Sequence, residues 1–123
     1  MVLFFSHKIT QEQKNDAKKL LGVEEFVALP KDLQELFSFV PAELDDLKEY
    51  IKPFGEFLKQ NTKNGDIALI QGDFGLSYKL VEYSKSIGVV PVYATTRRKS
   101  KEIQIENQVI KESLFEHVRF RKY

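Results

Sequence analysis

The chain has 123 residues, 42% hydrophobic and 30% charged, which fits one globular domain with a single core and leaves no room for a second. Lys+Arg 19 against Asp+Glu 18 leaves a net charge of +1, so any nucleotide or nucleic-acid site has to arise from local clustering. Cysteine is absent, which excludes disulfides, thiolate metal sites and cysteine nucleophiles and is compatible with a reducing cytoplasm.

Val2 to Phe5 form an apolar run with no basic stretch ahead of it, too short for a signal peptide or a membrane span, and read as a buried strand. Ser6-His7-Lys8 follows, and Thr10 stands as the N-cap of a helix that Gly22 closes. Early Glu12 and Asp16 and late Lys18 and Lys19 suit the helix dipole. Phe26 to Leu29, bounded by Pro30, predict a second strand, and Lys31 to Phe39 a second helix. A further helix is expected from Pro41 to Gln60, because Leu44, Leu47, Ile51, Phe54 and Leu58 recur every three or four residues; Pro53 should kink or divide it. Asn64-Gly65-Asp66 is turn chemistry, and Ile67 to Ile70 read as a central strand without a polar face. Asp73 can cap a helix running to about Ile87, with Leu76, Leu80, Tyr83 and Ile87 on one face and Gly88 as the stop. Val89 to Thr95 make the fourth strand, whose Pro91 places its beginning at an edge or outside the ladder. After Arg98 apolar and polar residues alternate around a plausible turn at Glu106-Asn107, which predicts antiparallel strands.

Strands alternating with helices imply right-handed crossovers. The predicted class is α/β: one Rossmann-like domain over residues 1–123, with a mostly parallel sheet, flanking helices and a C-terminal antiparallel strand pair. Ligands in such sheets bind beyond the carboxyl ends of the strands, where the strand order reverses. Three segments fall there: Ser6-His7-Lys8, Gln71-Gly72-Asp73-Phe74-Gly75 and Thr95-Thr96-Arg97-Arg98. Together they offer hydroxyls, an imidazole, an amide, helix-start N–H groups and three cations, which is chemistry suited to phosphate.

Each segment also has a plainer reading. Gly72 and Gly75 fit a tight strand-to-helix turn, Asp73 a simple cap, Arg97-Arg98-Lys99 with Lys101 a solvated loop, and His7 a hydrogen-bonded structural residue. His117 takes the structural reading, and Arg119, Arg121 and Lys122 that of a basic edge guarding against aggregation. Asp73-Phe74-Gly75 matches a kinase magnesium motif, but the glycine-rich loop, the strand lysine and the catalytic loop are missing. GxGxxG and GxxxxGK[ST] are absent too, which weighs against NAD and ATP. Two distant histidines and no clustered carboxylates give no metal site. A triad of Ser6, His7 and Asp73 is discounted, because adjacent residues on a strand end point apart.

LFFSHKIT, IQGDFG, YATTRRKS and the closing FEHVRFRKY, which together span nearly the whole chain, resemble the small stand-alone CRISPR-associated proteins of the Csx type. Those occur with type III systems, are described as ring nucleases and are similar in fold to CRISPR-associated Rossmann-fold (CARF) sensor domains. The resemblance implies a cytoplasmic homodimer that holds cyclic tetra-adenylate across its two-fold axis, with no cofactor, no metal and neither DNA nor a membrane as partner. It implies cleavage to linear di-adenylate with 2′,3′-cyclic phosphate, which would switch off type III signalling. On that footing Arg97 and Arg98 stabilise the phosphoryl charge, Asp73 accepts from the ribose 2′-hydroxyl and His7 serves as general acid or base. Ser6, Lys8, Gln71, Gly72, Gly75, Thr95 and Thr96 form the binding shell, with Phe74 a platform for adenine. The rival expectations are a sensor or sponge that binds the ring without cutting it, and an adaptor whose basic tail meets RNA or protein.

Overall fold

The computed structural model describes residues 1–123. The elements run β1 (Val2–Phe5), α1 (Gln11–Leu21), β2 (Val27–Ala28), α2 (Lys31–Ser38), α3 (Lys52–Asn61), β3 (Ile67–Gln71), α4 (Phe74–Ser86), β4 (Val90–Ile105) and β5 (Gln108–Lys122). They build one five-stranded sheet in the order β2-β1-β3-β4-β5, parallel throughout except for β5, which runs antiparallel to β4. This is the predicted Rossmann-like α/β class, and its strand order reverses between β1 and β3.

The inner strands are apolar on both faces, as strands covered on two sides must be. Phe5, Leu69, Val92 and Ala94 point to the side of α1, where Ala17, Val23 and Phe120 meet them. Val2, Phe4, Ala68 and Ile70 point the other way, into a larger core with Phe37 of α2, Phe54 and Leu58 of α3 and Leu76 and Leu80 of α4. The aromatic centre of that core is a tilted trio, with Phe4, Phe37 and Phe54 ring centroids 6.0–6.4 Å apart.

The first helix follows its sequence signals closely. Thr10 and Gln13 form a reciprocal capping box, and Gly22 closes the helix in the left-handed region at φ 66°. The helix expected over Pro41 to Gln60 is a correction. Residues 39–51 are turns and irregular chain, and α3 begins only at Lys52, with Pro53 in its first turn, where the missing N–H costs nothing. Pro53 therefore starts the helix instead of kinking it. Leu44, expected in the core, is 44% exposed, while Phe54 and Leu58 are fully buried.

The fourth strand is a second correction. Instead of ending at Thr95, it continues to Ile105, turns at Glu106-Asn107 and returns as β5, so that Thr95 to Arg98 lie inside a long ribbon. Pro91 sits within the ladder, paired with Ala68. Its carbonyl accepts from Tyr123 N–H at 3.2 Å, so its ring nitrogen faces the frayed end of β5, where no donor is needed. Opposite Thr95 and Thr96 the register slips by one residue, leaving Val118 as the extra residue of a bulge. The Thr95 hydroxyl bridges this slip, donating to Arg119 O at 3.0 Å and accepting from Arg119 N–H at 3.3 Å.

Candidate functional site at the strand-order reversal

The reversal between β1 and β3 opens a cleft of about 450 Å³ lined by Ser6, Gly72 and Asp73 at the strand ends and by Phe37, Ser38, Phe39 and Val40 from the end of α2. The Asp73 carboxylate accepts from Leu76 N–H at 3.0 Å, so it is the N-cap of α4. Gly72 N–H donates to Ser77 Oγ at 3.1 Å, and Ser77 N–H donates to Asp73 O at 2.8 Å. The N–H groups of Phe74 and Gly75, first and second in α4, have no intrahelical acceptor and remain open to an anion. Phe74 beside them is 94% exposed.

Gly72 has a different reason than expected. A Cβ there would lie 2.7 Å from Phe37 Cζ, so the glycine admits the core aromatic ring, not a ligand. A Cβ at Gly75 would meet Leu47 Cδ1 at 3.2 Å. Segment 39–51 thus crosses the start of α4. It also brings Tyr50, whose hydroxyl donates to Leu36 O, and whose pKa is pushed up by burial and by the nearby Asp73 carboxylate. This segment carries Glu43, Asp45, Asp46 and Glu49 against Lys48 alone, so the edge is mixed in sign.

The three predicted segments divide between the two faces of the sheet. His7 packs edge-on to Phe5 of the α1-side core, ring centroids 5.5 Å apart, and its imidazole has no hydrogen-bond partner. Lys8 is exposed. The Gln71 side chain accepts from Ala94 N–H at 3.0 Å, closing the gap where β3 and β4 part, and so is structural. Strand alternation places Thr96 and Arg98 on the α1 side with Ala94, and Thr95 and Arg97 on the α4 side with Tyr93. Arg98 donates from Nε and Nη2 to Ser113 Oγ at 3.2 and 2.9 Å. Arg97 has no hydrogen bond or ion pair within the chain and is exposed. Arg97 therefore lies on the face of the sheet that carries the Asp73 cap, and Arg98 on the other.

His117 is structural, as expected. Its side chain is 5% exposed, and its Nε2 lies 2.8 Å from Asp16 Oδ2, tying β5 to α1. Four contributors escaped the sequence reading. Ser38 ends a helix that was expected, Tyr50 lies on a loop that was expected to be helix, and Tyr123, whose hydroxyl donates to Ile70 O, is the last residue of the chain. Ser77 had a usable signal, a hydroxyl one helical turn after the cap.

A roomier cleft of about 560 Å³ lies at the opposite edge, between Leu21–Glu25, Gln60–Lys63 and Gly65–Ile67. Glu24, Glu25 and Asp66 face only Lys63 and the Met1 amine there; that amine donates to Glu25 O, and burial lowers its pKa. An acid-rich cleft at the amino ends of the strands repels phosphate, so size alone does not select it. No group of three or more potential metal ligands occurs, and no helix is long and apolar enough to cross a membrane.

Fold and cleft define a small Rossmann-like α/β domain whose candidate site is the helix start at a strand-order reversal. Over residues 1–121 the chain matches the family described as "Uncharacterized protein MJ1673", and it belongs to that family. It is similar to the "Uncharacterized protein MJ1673" of Methanocaldococcus jannaschii, 49% identical over 123 residues that cover 100% of this chain and 95% of that protein. No solved structure matches. These matches establish kinship and carry no activity with them.

Proposed function

We propose that the protein binds a cyclic oligoadenylate, cyclic tetra-adenylate in the first instance, across a cytoplasmic homodimer and cleaves it without metal, as the Csx-type resemblance implies. The observation that carries this reading is the open pair of N–H groups at Phe74 and Gly75, with Asp73 beside them and unpartnered Arg97 on the same side of the sheet. The substrate supplies its own nucleophile. A ribose 2′-oxygen attacks the adjacent phosphorus as the P–O5′ bond breaks, its proton leaves, and O5′ takes one up, giving a 2′,3′-cyclic phosphate. The chain has to hold the ribose in line and neutralise the phosphoryl oxygens. The two N–H groups and Arg97 suit the oxygens. The Asp73 oxygen not used in the cap suits the 2′-hydroxyl, and exposed Phe74 suits an adenine face. His7 and Arg98, on the α1 side, drop out of the centre.

Asp73's commitment to the cap and the lack of a histidine in the cleft favour a second reading, a sensor that holds the ring uncut. Radiolabelled cyclic tetra-adenylate incubated with excess protein and EDTA separates the two. Linear di-adenylate product supports the nuclease, a retained intact ring the sensor, and no binding removes both. Arg97→Ala should weaken transition-state stabilisation by about 1–3 kcal/mol, with Arg98→Ala near wild type.

A further inference from the structure

Beyond Thr96 the β4–β5 ribbon leaves the body as an arm of two strands alone, which in water is marginally stable by itself. The arm is nevertheless rich in apolar side chains. On its α4-side face Ile103 pairs with Ile110, Ile105 lies next along, and Leu114 sits two pairs further in, opposite Lys99; Ile105, Ile110 and Leu114 are 55%, 43% and 53% exposed. The opposite face carries Phe115 and Val109, 71% and 61% exposed, but the Ser100–Ser113 and Glu102–Lys111 pairs lie between them, so they form no continuous patch.

We propose that the α4-side face of the arm packs against the same face of a second copy of this chain, about a two-fold axis parallel to the strands. The strand register carries the argument. Such an axis lays β4 of one copy over β5 of the other and keeps every level, so each cross-strand pair is repeated between copies. Lys101 then faces the second copy's Glu112 and Ile103 its Ile110; Glu116 is already paired with Lys99 of its own chain at 3.0 Å, which leaves Arg97 free for a ligand. Opposite charges meet at the Lys101–Glu112 level and aliphatic groups at the Ile103–Ile110 level, with no like-charge contact at either. The bases Arg97, Lys99 and Lys101 of β4 lie beside the acids Glu112 and Glu116 of β5, so the face carries little net charge to hold a nucleic acid. Both arms point the same way, so the two candidate clefts open on one side of the dimer. The pairing gives the homodimer of the ring-cleavage reading its surface, and is tested without nucleotide so that either idea can fail alone.

Sedimentation of the full chain should show a dimer, and Ile103→Lys should weaken it by about 100-fold with an unchanged circular dichroism spectrum. A decisive version uses Lys101→Glu and Glu112→Lys. Each variant alone should be monomeric, since its copies would repel at that level. An equimolar mixture should form a heterodimer, because only contacts between copies are repaired by mixing. The chain has no cysteine, so Ile103→Cys mixed with Ile110→Cys should give a covalent dimer under mild oxidation, well above either variant alone, without introducing charge. A monomeric wild type, a dimer indifferent to Ile103→Lys, or mixtures with neither heterodimer nor cross-link would overturn the proposal.

Discussion

The body and the arm use the same strand geometry for opposite ends. In the body, β1 and β3 have four and five residues, mostly buried, and are fixed by a core on each face. In the arm, β4 and β5 continue for some ten residues each past Thr96 with no core on either face. Strand length here is therefore not a measure of burial. The body is held by side chains from three layers, the arm by its own ladder and one tie at its root, His117 to Asp16.

The largest effect should come from the body's centre. Phe37→Ala removes a ring that is 1% exposed and touches Phe4, Phe54 and Gly72, and should cost about 3–5 kcal/mol in urea unfolding. Ile105→Ala, at the arm's tip, should stay within about 0.5 kcal/mol in the monomer. If the two cost alike, the division between body and arm is wrong. At the junction, His117→Ala leaves Asp16 partly buried without its partner and should cost about 1–3 kcal/mol. Amide exchange should then rise in β5 ahead of β1 and β3.

A smaller effect belongs to Tyr123, whose hydroxyl reaches Ile70 O from beyond β5. Tyr123→Phe should cost about 1 kcal/mol at neutral pH. Burial, and secondarily Tyr93, pushes the Tyr123 phenol up from its ordinary value, and burial with Asp73 does the same for Tyr50. A raised folded pKa means that the unfolded phenol ionises first. This contribution to stability is complete below about pH 10 and is lost as the pH rises above it. Tyr123→Phe should flatten that alkaline fall, and an unchanged slope would show the contact to be unimportant. Glu106, at φ 56°, holds the arm's turn in the left-handed region. Glu106→Gly should relieve about 1 kcal/mol locally, slowing exchange in the arm and leaving the body's midpoint in place.

What the sequence disclosed follows the same division. Where apolar side chains meet a core, periodicity and caps were legible. Thr10, Gly22, Asp73 and Gly88 bound their helices as read, and Ile67 to Ile70 sit in the middle of the sheet. Segment 39–51 misled because Leu44 and Leu47 keep helical spacing across a stretch that is loop; Pro53 marked a start, where an interruption was read. Arg97 to Lys99 read as a loop because the run from Thr95 to Glu102 holds no apolar residue to show a period, whereas the alternation beyond it was read as strands. The turn at Glu106-Asn107 was nevertheless placed correctly. For the candidate site, the sequence brought the right edge together but not the right faces. The alternation that separates Arg97 from Arg98 shows only once both lie in β4.

The most direct test of the account is calorimetric titration of cyclic tetra-adenylate into the wild-type protein in EDTA. Saturable binding at one ring per two chains is expected, weakened by Arg97→Ala and retained by Arg98→Ala. Absence of binding, or an equal loss in both variants, would contradict it.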